Sequence, residues 1–194
     1  MRMVIYLIIF LDKHGRALLD GRNTQRRSDM DPRAVMELLA GEIADDPPAG
    51  YEPLPTGTGF NEYLGPLYGR LIDGRLRLGM RIGKRHVNPH QTCHGGILAS
   101  FADMQLYVSQ QQEPELRHML MPTINMTLDY IAPVVLGDWL EGHTTLLRAT
   151  RATLFQQTLA MVGARPVFRS SCIYRISKQR APIGSTLGEL FPNA

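Results

Sequence analysis

Apolar and polar residues alternate strictly from Arg75 to Ile82. Leu76, Leu78, Met80 and Ile82 fall on one side, and Arg75, Arg77, Gly79 and Arg81 on the other. That period of two predicts a half-buried strand with a basic outer face. The period then changes. Ile97, Phe101, Met104 and Val108 form one helical stripe, and the helix runs out around residues 110–113, before Pro114. Alternation returns at Thr123, with Ile124, Met126, Leu128 and Tyr130 against Thr123, Asn125, Thr127 and Asp129. Three more strands read as 139–150, 154–162 and 167–176, separated by Arg151-Ala152 and by Gly163-Ala164-Arg165-Pro166. Upstream, Asp31-Pro32 caps a helix over 31–44 that carries Val35, Leu38, Leu39 and Ile43. A loop dense in Pro and Gly follows from Pro47 to Gly59, with Tyr51 and Leu54 as its anchors, and Leu64 to Tyr68 reads as an irregular edge strand. One central helix followed by a meander of strands gives an α+β architecture, not an alternating parallel sheet.

Composition narrows the class. The 194 residues are 44% hydrophobic and 20% charged, ordinary globular usage that excludes collagen-like and low-complexity chains. Cys93 and Cys172 are the only cysteines, too few for a disulfide framework and suited to a reducing, cytoplasmic setting. The longest apolar run, Met3 to Leu11, is far shorter than the ~20 residues of a transmembrane helix, so no membrane span is expected. No small-residue cleavage site follows it. It reads as a strand; the alternative is a start near Met30, with residues 1–29 a loose extension. The net charge of +3 suits anionic small molecules as well as nucleic acid. With no aromatic stacking platform or known nucleic-acid module, nucleic acid is not expected as a partner.

The densest chemistry lies between Asn88 and Asp103. Gly95 and Gly96 open the central helix, where backbone N–H groups are unpaired and the helix dipole is positive. Glycine lets a ligand atom approach them closely. A polarised carbonyl oxygen or an oxyanion suits such an end. Asp103 lies seven residues after Gly96, two turns less about 20°, so the two share a face with the small residues Ala99 and Ser100. His86, His90 and His94 stand four apart beside Cys93, but Pro89 breaks any helix there, so three ligands on one face, and hence a metal site, are not expected. Among the basic residues, Lys84 and Arg85 adjoin this loop and are best placed to attract phosphates.

The run His94-Gly95-Gly96-Ile97-Leu98-Ala99-Ser100-Phe101-Ala102-Asp103, with Asn88 six residues ahead of it, resembles the signature of hotdog-fold acyl-CoA thioesterases of the phenylacetate-pathway (PaaI-like) type. Tyr130-Ile131-Ala132-Pro133 and Gly137-Asp138 resemble that family's strand and turn after the helix. The resemblance covers roughly residues 57–177. It implies a hotdog fold, a curved antiparallel sheet wrapped around one long central helix, with the helix at 31–44 as an addition. The domain expectation is an N-terminal extension over 1–56, a hotdog domain over 57–180 and a tail over 181–194.

The resemblance also implies roles. Gly95 would give its N–H to the thioester carbonyl, and His94 and Asn88 would shape that pocket. Asp103 from the neighbouring subunit would act as nucleophile or general base, and Thr123 would orient the water or the carboxylate. Gly96, Ser100, Lys84 and Arg85 would contact substrate. The implied enzyme is an acyl-CoA thioesterase, a hydrolase active as a homodimer or homotetramer, with no metal and no cofactor. Gln91 departs from the pattern, since many members have glycine there. That departure and the N-terminal extension motivate the alternative of a non-catalytic acyl-CoA-binding or regulatory module.

Overall fold

A computed structural model describes residues 45–55 and 59–180. The helix expected at 31–44 lies outside the described residues. The elements run β1 (Glu52–Pro53), α1 (Phe60–Leu64), β2 (Tyr68–Ile72), β3 (Arg75–Arg81), α2 (Gly95–Met104), α3 (Leu106–Gln112), β4 (Thr123–Tyr130), β5 (Trp139–Ala149), β6 (Thr153–Val162) and β7 (Arg165–Arg175). The strands form one seven-stranded antiparallel sheet in the order β1-β2-β3-β5-β6-β7-β4. This is a hotdog fold, the sheet wrapped around the α2–α3 helix.

Periodicity and burial agree closely on β3. Leu76, Leu78, Met80 and Ile82 are at most 2% exposed. They meet Leu98, Phe101, Ala102, Met104 and Val108 of the central helix, together with Leu140, Ala160, Val167 and Phe168 of the sheet. Phe101 packs edge-on against Phe168, with ring centroids 6.4 Å apart. Burying each large side chain of this layer contributes about 1.5–3 kcal/mol, so the helix–sheet contact is the main stabilising surface.

Two of the three arginines on the basic face of β3 are engaged, while Arg75 is exposed. Arg77 pairs with Glu141 at 3.7 Å, while Arg81 reaches the Gly137 carbonyl at 3.0 Å and lies 5.4 Å from the Trp139 ring. Tyr51 and Leu54 are buried, as expected of anchors.

One local expectation is corrected. The segment read as an edge strand from Leu64 to Tyr68 is instead the end of α1 followed by the start of β2. Gly65, at φ 96°, separates them. Proline and glycine there mark a turn between elements, not an irregular strand. The expected long central helix is present as α2 and α3 together. Gln105 interrupts it, fully buried, with its amide donating to the Phe101 carbonyl (3.4 Å) and accepting from the Thr144 hydroxyl (2.9 Å). Gly142 makes room, since a Cβ there would collide with the Gln105 side chain. The polar run Ser109-Gln110-Gln111, near the end of that helix, is buried. Gln110 donates to the Leu116 and Met119 carbonyls, and Gln111 donates to the Gly74 carbonyl.

Candidate functional site

The site is built on α2 and the loop before it. In that loop Asn88 organises a turn. The Gln91 N–H donates to the Asn88 carbonyl at 2.9 Å, and the Asn88 side-chain oxygen accepts from the His90 N–H at 2.8 Å. Its amide donates to the Thr92 hydroxyl at 2.9 Å. The side chain is therefore occupied within the loop, shaping it rather than standing open. Gln91, where many relatives of the resembled pattern carry glycine, has φ 64°. That is the left-handed region which glycine enters without penalty and other residues rarely adopt. Gln91→Gly is expected to raise stability by about 0.5–1 kcal/mol, net of the extra freedom glycine gives the unfolded chain. A denaturant midpoint that falls instead would mean the glutamine side chain holds the loop.

His86 joins this loop to α1. Its Nδ1 accepts from the Gly83 N–H (2.9 Å), and its Nε2 lies 2.6 Å from the Leu64 carbonyl, so the ring is neutral with the proton on Nε2. Its own carbonyl accepts from the His94 N–H at 2.8 Å. Both ring nitrogens are thus engaged structurally. Burial lowers the His86 pKa, with hydrogen bonding to Leu64 opposing. Its stabilising contribution is therefore complete above the unfolded histidine value of about 6.5 and is lost as pH falls from there through the folded value. Melting curves between neutral and mildly acidic pH are expected to show this decline, flattened in His86→Gln.

His94 caps α2. Its Nδ1 accepts from the Gly96 N–H at 2.9 Å, and its backbone is extended at φ −64°, ψ 135°. Gly96 is thereby consumed by the cap. The Gly95 N–H has no acceptor among the described residues. The ring leaves Nε2 as the remaining donor of neutral His94. Ser100 donates to the Gly96 carbonyl at 2.8 Å, so its hydroxyl hydrogen is held on the helix backbone. Lys84 and Arg85 lie in the short turn Lys84–His86 that leads into this loop. Arg85 is exposed, with its guanidinium against Gly65.

Asp103 stands exposed two turns further along α2. Thr123, at the start of β4, donates its hydroxyl to Asp103 Oδ1 at 2.5 Å. The structure thus brings together two candidates that lie twenty residues apart in the chain. A short hydroxyl–carboxylate bond of this kind is charge-assisted and fixes the rotamer of the acid.

Three tyrosines that the sequence does not single out as candidates join the site, although Tyr130 lies in the run that carries the family resemblance. Tyr130, at the other end of β4, donates to the Gly95 carbonyl at 2.9 Å and packs on Gly95. Tyr174 donates to the Asp103 carbonyl at 3.2 Å. Tyr107, one turn beyond Asp103, has its pKa raised by burial and further by the Asp103 charge. Each of these neighbours is set by register between distant elements, so nothing along the chain marks these contacts.

Comparisons with known proteins bear on the family and the fold. The model of the thioesterase superfamily matches residues 90–157, which take in the cap, α2 and β4. A Pseudomonas aeruginosa protein that carries the name of an esterase is 30% identical over 132 residues, covering 66% of this chain and 96% of its own. Among solved structures, a variant of the phenylacetic acid degradation protein PaaI from Thermus thermophilus aligns with a TM-score of 0.51 at 21% identity, over 61% of this chain and 98% of that one. Zebra fish thioesterase superfamily member 2 aligns with a TM-score of 0.54 at 17% identity, over 77% and 100%. At such identities the structures speak for the shared fold, and the sequence match carries the kinship: this chain belongs to the thioesterase superfamily.

Proposed function

We propose that the protein hydrolyses an acyl-CoA thioester to the free acid and CoA, at a site shared by two copies of the chain. One observation carries the reading. Asp103 is exposed yet clamped by Thr123 at 2.5 Å, while the Gly95 N–H stands without an acceptor among the described residues, on the same helix. Both groups suit acyl transfer, one as an acid–base or nucleophilic carboxylate and one as an oxyanion donor.

Their spacing argues for two copies. Eight residues of helix separate them, about 12 Å along the axis. Reacting groups must come within about 3–3.5 Å of the thioester carbon, so one chain does not offer both to one substrate. Two helices packed antiparallel about a two-fold axis would set Gly95 of each against Asp103 of the other. The strand β4 supports such pairing. It is an edge strand, and it leaves Ile124 59% and Tyr130 44% exposed. An open edge with apolar side chains is a template for pairing with a second chain.

In this mechanism the thioester carbonyl accepts from Gly95 N–H, with the His94 Nε2–H beside it. Asp103 either attacks the carbonyl carbon or takes a proton from the attacking water. The carbonyl oxygen becomes the oxyanion at Gly95, and collapse breaks the C–S bond and releases the CoA thiolate. If Asp103 attacks, water then hydrolyses the resulting anhydride. Lys84 and Arg85 attract the CoA phosphates.

Thiol release from acetyl-, hexanoyl-, palmitoyl-, benzoyl- and phenylacetyl-CoA tests the reading, with the mass in solution measured in parallel. Turnover of at least one ester by a dimer or tetramer is expected. Binding without thiol release would instead favour an acyl-CoA-binding module. A monomer that turns over fully would remove the shared site.

A further inference from the structure

Asp103 is held from two directions. Thr123 grips its carboxylate, and the Tyr174 hydroxyl donates to its backbone carbonyl at 3.2 Å. The Tyr174 oxygen is itself oriented, because it accepts from the Gln156 amide at 3.1 Å. The Gln156 carbonyl oxygen in turn accepts from the Ser109 hydroxyl at 2.7 Å. This chain of bonds crosses from α3 through β6 and β7 to the last turn of α2. Ser109, Gln156 and Tyr174 are each at most 1% exposed.

Packing alone does not call for this arrangement. A hydroxyl, an amide and a phenol must all be desolvated to lie there, whereas apolar side chains of similar volume would fill the space without that penalty. The interruption of the central helix at Gln105 supplies the reason. Asp103 lies in the final turn of α2, where a helix end frays. Its carbonyl accepts a backbone N–H at that end, and the tyrosine adds a second donor, one anchored in the sheet. Burial pushes the Tyr174 phenol far above the ordinary tyrosine range, so it remains a donor.

We infer that Tyr174 is a positioning residue, setting the backbone of Asp103 while Thr123 sets its carboxylate, with Gln156 and Ser109 orienting the tyrosine hydroxyl. The inference rests on the reading of Asp103 as the reacting carboxylate. Tyr174→Phe keeps the ring and removes the donor. With the acyl-CoA that the wild type turns over fastest, kcat is expected to fall about 10- to 100-fold while KM stays within about twofold. In an Asp103→Asn background the same change is expected to alter the residual rate by less than about twofold, because its effect runs through the carboxylate.

Wild-type kcat in a folded Tyr174→Phe protein would overturn the inference. So would the same factor lost again in the Asp103→Asn background, which marks a general loosening of the core. Full activity of Asp103→Asn alone would instead overturn the underlying reading, and this inference with it. Should Tyr174→Phe not fold, Gln156→Met serves. It removes the amide donor and keeps the tyrosine, and a kcat loss of about threefold or more, absent in the Asp103→Asn background, is expected. Unchanged kcat there would overturn the inference.

Discussion

Asp103→Asn is expected to lower thioester hydrolysis by about 10²–10⁴-fold, equivalent to about 3–5 kcal/mol of transition-state stabilisation. The substitution changes charge and basicity but not shape. Asparagine keeps a side-chain oxygen where Thr123 donates, so the contact between α2 and β4 survives. The side chain is exposed, so no buried charge partner is orphaned. The fold is therefore expected to be unaffected, and a melting curve beside the rate assay separates the two effects. Nearly wild-type turnover by the folded variant would remove Asp103 from the chemistry.

Gly95→Pro is expected to lower kcat by about 10²–10³-fold, the effect of deleting one oxyanion donor, or about 2.7–4 kcal/mol. Proline at this position is an unusually clean deletion. Gly95 is the first residue of α2, where the N–H makes no intrahelical bond and proline is tolerated. The preceding His94, at φ −64° and ψ 135°, already occupies the region that a residue before proline prefers. The added ring does approach Tyr130, whose hydroxyl would stand 3.3 Å from a Cβ at 95. Gly95→Ala adds that Cβ and retains the N–H, so it isolates the steric part. Initial rates for the pair decide the matter. A small loss with alanine and a large one with proline assign the donor, and equal losses would point to crowding against Tyr130.

The two residues are reached by different reasoning. Gly95 is legible along the chain, because two glycines before an apolar stripe open a helix whose first N–H groups are unpaired. The structure opens α2 at Gly95 but gives the Gly96 N–H to the His94 ring. Asp103 is legible as a carboxylate sharing a face with Gly96, and the family resemblance implies Thr123 as its partner. Its bond to Thr123 depends on how β4 returns beside α2, a contact between elements that no periodicity encodes. The same holds for Tyr174, which alternation would assign to the core and which proves to be a donor within it.

Periodicity settles the element types because burial of one face is a local property of the chain. The alternation over 75–82, the helical stripe from Ile97 to Val108 and the strands from Thr123 onward all read correctly for that reason. It misreads where a polar residue is buried with a partner from elsewhere. Gln105, Gln110 and Gln111 are polar, yet all three lie inside: Gln105 and Gln111 find hydrogen bonds far along the chain, and Gln110 in the turn that follows the helix. It also misreads the turn at Gly65, where a positive φ, not a side chain, ends one element and begins another. Local pattern was thus enough for the main elements, the glycine-rich helix start and the kinship. Three further features needed the folded chain: the break of the helix at Gln105, the closure of Asn88 upon its own loop, and the bond from Tyr174 to the Asp103 backbone. Those outcomes come from contacts and register between elements, where the free energy belongs to two segments at once and to neither stretch of sequence alone.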